Sequence, residues 1–223
     1  MKYLLSLLLA VFFLIPLASC QNFSPKDPNV TSNSETTPQL EAFDFAAENW
    51  QTIEGEGISI SLPKTYQGGN PLRDLTEIES DLNSLGESYG RRLQSIRQNL
   101  DDIVLIAFDA RSLTPETLTN VNIIQQSLDK SISLADYLKQ AVQQLEKTHT
   151  IEAEIITSSD KGEIARIVAS KTTDNGVTMK QLFYFQPQEE TMLISTFSTP
   201  KSEFQGRVAN FEQSIASLAI NNE

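Results

Sequence analysis

The sequence has one cysteine, one histidine and few basic residues, and each shortage excludes a class of function. Because Cys20 is alone, no internal disulfide can form, and the fold must depend on its hydrophobic core. A transition-metal site would have to combine His149, the single histidine, with carboxylates from elsewhere in the chain. The 17 basic residues face 29 acidic ones, for a net charge of −12, so the surface repels nucleic acid.

Sequence motifs of several kinds of catalytic and ligand-binding site are also missing. The chain contains no Gly-x-Ser-x-Gly string, so a serine hydrolase would need His149 as the base for a serine placed elsewhere. It has no glycine-rich phosphate loop and no calcium-loop pattern. Arg91-Arg92 with Arg97 predict pairing with Glu87 and the nearby Asp101-Asp102 more than a basic patch for a partner. The acidic pairs Asp101-Asp102 and Glu189-Glu190 predict solvated surface more than a divalent-ion site. We therefore expect no catalytic residue, no metal and no cofactor.

The first twenty residues have the order of a secretion signal. Lys2 precedes an apolar run from Tyr3 to Leu17, which is shorter than the ~20 residues of a membrane-spanning helix. The run ends in Leu17-Ala18-Ser19-Cys20, which resembles the lipobox of bacterial lipoproteins. The resemblance implies that residues 1–19 are a signal peptide cleaved between Ser19 and Cys20. It also implies that Cys20 carries the acyl chains, palmitate among them, that hold the protein at a membrane.

The mature chain is then expected to have two parts. Residues 20–40 are rich in Pro, Ser, Thr and Asn and predict a flexible linker that spans roughly 20–30 Å. Residues 41–223 predict a single α+β domain. Without Lys2, 16 basic residues remain against 29 acidic ones, a net charge of −13. Such a chain reaches the membrane through its acyl chains and not through a basic patch.

Three helices and several strands are predicted within this domain. Asn70-Pro71 opens a helix whose apolar stripe runs from Leu72 to Leu100, and Gly86 and Gly90 leave its straightness open. Ser133 begins a second helix, and Thr199-Pro200 begins a third, with Thr199 as its cap. Strands are predicted at residues 50–53, 58–62, 103–110 and 118–128 and, as a four-stranded antiparallel meander with an Asn175-Gly176 hairpin turn, at 150–198.

Three local strings carry a family resemblance: Ile58–Pro63 at a strand end, Ser133–Leu138 at a helix start, and Phe211–Ile215 in the last helix. Their order resembles the α/β/α sandwich of the PsbP proteins of photosystem II, the Mog-type Ran-binding proteins, and bacterial lipoproteins of the LpqN and DcrB kinds. The resemblance implies an antiparallel sheet with helices packed on both faces. It also implies a non-enzymatic module that binds partners at a membrane.

Three functions from different classes remain open on the sequence. The first is an accessory module that binds a protein at the membrane, of which a PsbP-like photosystem II assembly factor is one version. The second is a carrier of a small apolar ligand, such as a lipid or pigment. The third is a hydrolase or metal enzyme, in which His149 would meet a serine or three carboxylates. In each case the domain would face the periplasm or another extracytoplasmic space, such as the thylakoid lumen.

Overall fold

A computed structural model describes residues 49–85, 97, 100–112, 117–128, 131–159, 162–173 and 176–221. Within these residues, no helix is both long enough and apolar enough to cross a membrane. Groups of strands are separated by single helices, and the bounds of the described elements are as follows: β1 Trp50–Glu54, β2 Ile58–Pro63, β3 Tyr66–Gly69, α1 Pro71–Leu85, β4 Ile103–Asp109, β5 Asn120–Ser127, α2 Leu134–Leu145, β6 Thr150–Ser159, β7 Gly162–Thr172, β8 Thr178–Gln188, β9 Thr191–Pro200, α3 Lys201–Ser217 and β10 Ala219–Ile220.

The described strands build a central antiparallel sheet in the order β3-β4-β5-β9-β8-β7-β6. The α+β class and the meander of the last four long strands are confirmed. Along β8, Phe183 and Phe185 face one side of the sheet, and Leu182 and Tyr184 face the other. This alternation follows from the two-residue period of a strand, and apolar residues on both faces require cover on both.

Helices cover both faces, as predicted. α1 and α2 pack on the face that carries Phe183, where Ile78 and Leu138 enter the core. α3 packs on the face that carries Tyr184, through Phe204 and Phe211. A small sheet in the order β1-β2-β10 lies on the same face as α3. The sequence did not predict this second sheet, because its last strand has only two residues, Ala219 and Ile220, both exposed.

The sequence left open whether the predicted helix from residue 71 to residue 100 is straight, and the position of Arg97 excludes one straight helix. α1 is described as far as Leu85, and residues 86–96, with Gly86 and Gly90, lie outside the described residues. The Nε atom of Arg97 lies 2.7 Å from Oε1 of Glu79. In one straight helix these two residues would be separated by about 27 Å along the axis. Leu72, which the stripe placed in the core, is 53% exposed.

The two later helices begin differently. Ser133 caps α2 as predicted, since its hydroxyl accepts a hydrogen bond from the Asp136 amide at 3.1 Å. Thr199 does not cap α3: β9 continues to Pro200, which is the N-cap and has no side-chain cap bond. The Thr199 hydroxyl lies instead 2.9 Å from the Thr119 hydroxyl, inside the sheet. A residue that pairs as the end of a strand is not free to turn its side chain to the helix terminus.

Candidate functional site

The predicted lipid-attachment site lies outside the described residues. Ser19 and Cys20 precede residue 49, where the described structure begins. Cleavage between them and acylation of Cys20 therefore stay predictions.

His149 is buried between α2 and β6, and an uncharged side chain lies within hydrogen-bond distance of each of its ring nitrogens. Its Nε2 atom lies 2.7 Å from Oε1 of Gln181, and its Nδ1 atom lies 2.8 Å from the Thr148 hydroxyl. Because Oε1 can only accept, Nε2 donates to it, and in the neutral ring Nδ1 accepts from the Thr148 hydroxyl. Burial lowers the pKa of His149, although the Gln181 bond opposes that shift. His149, which follows the end of α2, is thus a neutral core residue and not a cation favoured by the helix dipole.

None of the described serines forms a hydrolytic pair with His149. Ser198 lies on the same sheet face, but Gln181 stands between them, and its Nε2 donates to the Ser198 hydroxyl at 3.4 Å. Ser195 pairs with Tyr184 across β8 and β9, so it lies on the opposite face, under α3. The condition set for a hydrolase, contact between His149 and a serine, is therefore not met among the described residues.

The neutral state of His149 makes stability depend on pH. Because the pKa is lowered in the folded protein, the unfolded chain takes up the proton first as pH falls through the ordinary value of 6.5. The stabilising contribution is complete above pH 6.5 and is lost below it, at up to about 1.4 kcal/mol per pH unit. We expect urea titrations between pH 8 and 5 to show this loss. A His149→Gln variant should have a flatter profile in the same range; an unchanged profile would contradict the assignment.

The carboxylates do not converge on a metal site. Among the described residues, no group of three or more His, Cys, Asp or Glu side chains is arranged to hold a metal ion. Arg97 contacts Glu79 on α1 and not the described Asp101 or Asp102, while its other predicted partner, Glu87, lies outside the described residues.

The most buried charged cluster joins the end of β4 to α3. The side chain of Asp109 is fully buried and accepts from Nη2 of Arg111 at 2.9 Å and from Nη1 of Arg207 at 2.6 Å. Nε of Arg207 also contacts Glu203 at 2.7 Å. Burial alone would raise the pKa of Asp109, but the two arginines outweigh it and lower the pKa. Two cations and two carboxylates balance each other, so the cluster fastens α3 to the sheet and does not present a free reactive group.

Sequence reasoning missed this cluster, although one signal was visible. Arg207 lies three residues after Phe204 and four before Phe211, which is the spacing of the apolar stripe of α3. An arginine at a core position needs a buried acidic partner. Asp109, at the end of the otherwise apolar run Ile103–Phe108, is such a residue.

The described surface offers one extended apolar edge, strand β6. This strand ends the central sheet and pairs only with β7. Residues 152–158 are all exposed, and Ile155 and Ile156 keep 49% and 38% of their surface accessible. Ile155 pairs with Arg166 and Ile156 with Ala165, so the two isoleucines face opposite sides of the sheet. An unpaired strand edge that exposes apolar side chains is the usual form of an interaction surface.

Comparisons with known proteins give likenesses of fold. No family model matches the chain, and no curated protein matches it. Among solved structures, the chain is similar to cyanobacterial PsbP from Synechocystis sp. PCC 6803, with TM-score 0.49, 10% identity, and coverage of 82% of this chain and 99% of that one. It is similar to the Ran-binding protein Mog1p of Saccharomyces cerevisiae, with TM-score 0.49, 11% identity, and coverage of 79% and 97%. It is also similar to LpqN of Mycobacterium tuberculosis, involved in cell envelope biogenesis, with TM-score 0.48, 11% identity, and coverage of 79% and 92%. Similarity at this level describes the path of the backbone and says nothing about a ligand or a partner of this chain.

Proposed function

We propose that this chain is a lipid-anchored accessory protein whose domain binds a protein partner at a membrane, without catalysing a reaction. The observation that carries the proposal is the exposed apolar edge of β6 in a domain whose sheet faces are otherwise covered. The Leu17–Cys20 string supports the anchor, and the Pro- and Ser-rich residues 20–40 supply a linker. The domain would face the periplasm or another extracytoplasmic space.

The anchor is tested by substitution at the cleavage site. A Cys20→Ala variant lacks the thiol that receives diacylglycerol, so we expect it to incorporate no labelled palmitate and to keep its signal peptide uncleaved. Ser19→Ala is the matched control, because alanine is also a small residue and should preserve both cleavage and labelling. If Cys20→Ala is still cleaved and remains with the membrane, the lipid anchor is refuted.

The binding role is tested separately. The wild-type chain, crosslinked in membranes and purified in detergent, should retain a defined membrane protein in stoichiometric amount. Because the proposed binding surface lies in the domain and not at the anchor, Cys20→Ala added back to the same solubilised membranes should retain that protein too. If neither form retains a partner, the accessory function is refuted, whatever the fate of the anchor.

A further inference from the structure

Only the first half of strand β6 has features that would prevent another strand from pairing with its free edge. Its first half contains a bulge, because Glu152 is inserted between the pairs Ile151–Ala169 and Ala153–Val168. Glu152 is also held by Lys180 at 2.5 Å. From Ala153 onward the register is regular, and Ile155–Ser158 contains no charge, proline or glycine. Natural edge strands are usually blunted by charges, prolines or bulges, and this segment has none of these.

The unprotected half lies at the opposite edge of the central sheet from the first described residues. The described chain begins beside β3: Lys64 donates its amide to the Asn49 carbonyl at 2.7 Å, and Nε2 of Gln51 donates to the Tyr66 carbonyl at 2.5 Å. β3 and β6 are the two ends of the central sheet, six strand spacings apart. At about 4.8 Å each, these spacings separate the two edges by about 29 Å.

Two acidic side chains of the described residues flank the same segment. Glu154 precedes it on β6, and Glu163 lies on β7 opposite Ser158. Neither forms an ion pair with any described residue, whereas the neighbouring Arg166 is already paired with Glu212. A second copy of this chain would bring its own net charge of −12 to this edge. A basic segment of another protein complements the charge instead.

We propose that Ile155–Ser158 takes up an extended, basic segment of a protein partner as an additional strand of the central sheet. Main-chain hydrogen bonds would pair the segment with β6, and its apolar side chains would cover Ile155 on one face and Ile156 on the other. Lysine or arginine side chains of the segment would lie beside Glu154 and Glu163. This inference rests on the proposed binding function and names the chemistry of its partner.

Three synthetic peptides test the mode of binding to the full-length chain in detergent. The first alternates Val and Thr over ten residues, with a Lys near each end; the second has Glu in place of Lys. The third keeps the Lys sequence but is N-methylated at alternate amides, which removes the hydrogen bonds of one strand edge without changing the charge. By fluorescence anisotropy, the first should bind at least tenfold more tightly than either of the others. Its binding should slow amide exchange within residues 155–158.

Variants of the protein test the place of binding. Glu154→Gln combined with Glu163→Gln should weaken the Lys peptide about two- to thirtyfold at low salt, as expected for two exposed ion pairs. Glu189→Gln, in the exposed turn between β8 and β9, is the matched control and should change nothing. Equal binding of the N-methylated peptide, or a dimer of the free protein that protects residues 155–158, would overturn the proposal. If the wild type still retains a membrane partner, only strand addition fails and the binding function stands.

Discussion

Replacement of Asp109 by asparagine is expected to lower the free energy of unfolding by about 3–5 kcal/mol. The substitution keeps the size of the side chain but removes the charge that two arginines share. Arg207, whose side chain is only 7% exposed, would keep its charge in the core with Glu203 as its remaining carboxylate contact. Urea unfolding followed by circular dichroism at pH 7 measures the loss.

Two comparisons separate the buried charge from a general effect of removing an acid. Asp101→Asn, on an exposed residue, should change stability by no more than about 0.5 kcal/mol. Arg207→Met should cost less in an Asp109→Leu background than in the wild type, because an apolar pair leaves no unpaired charge. A loss below about 1 kcal/mol for Asp109→Asn would show that water reaches this cluster.

Local signals predicted the elements of this fold well because their causes are local. The alternation of Leu182, Phe183, Tyr184 and Phe185 identifies a strand whatever lies beside it. In the predicted Asn175-Gly176 turn, Asn175 lies outside the described residues, and Gly176 takes a positive φ of 80°, a conformation that glycine adopts without steric cost. The Ser133 cap likewise depends only on the next three residues. Patterns that extend over only a few residues were therefore enough to predict the α+β class and the meander.

Contacts between distant residues could not be predicted in the same way. Asp109 and Arg207 are 98 positions apart, and no periodicity connects them. Strand β3 has the sequence Tyr-Gln-Gly-Gly, which reads as a turn, yet Gly68 fits against β4 because a side chain there would collide with the Ile106 carbonyl. Only the paired strand reveals why glycine is needed.

The candidate surface shows the same limit. Ile155 and Ile156 are adjacent, a pattern typical of a strand covered on both faces, and the sequence indeed predicts a strand there. Their exposure follows from strand order, because β6 ends the sheet and the helices cover its inner strands. Strand order is decided by the packing of the whole chain, so the edge became visible only in the structure.

Truncation of Phe197 to alanine is the second large effect we expect, at about 3–5 kcal/mol of unfolding free energy. Phe197 is fully buried and stacks on Phe211 of α3 with ring centroids 4.8 Å apart, while Tyr184 meets it edge-on at 6.2 Å. The cavity would open under the helix that Arg207 fastens to Asp109, and the sheet cannot collapse to fill it. Leu72→Ala is the control, since Leu72 is 53% exposed and should cost no more than about 0.5 kcal/mol. Equal losses from the two truncations, measured by urea unfolding, would mean that α3 does not pack on this face.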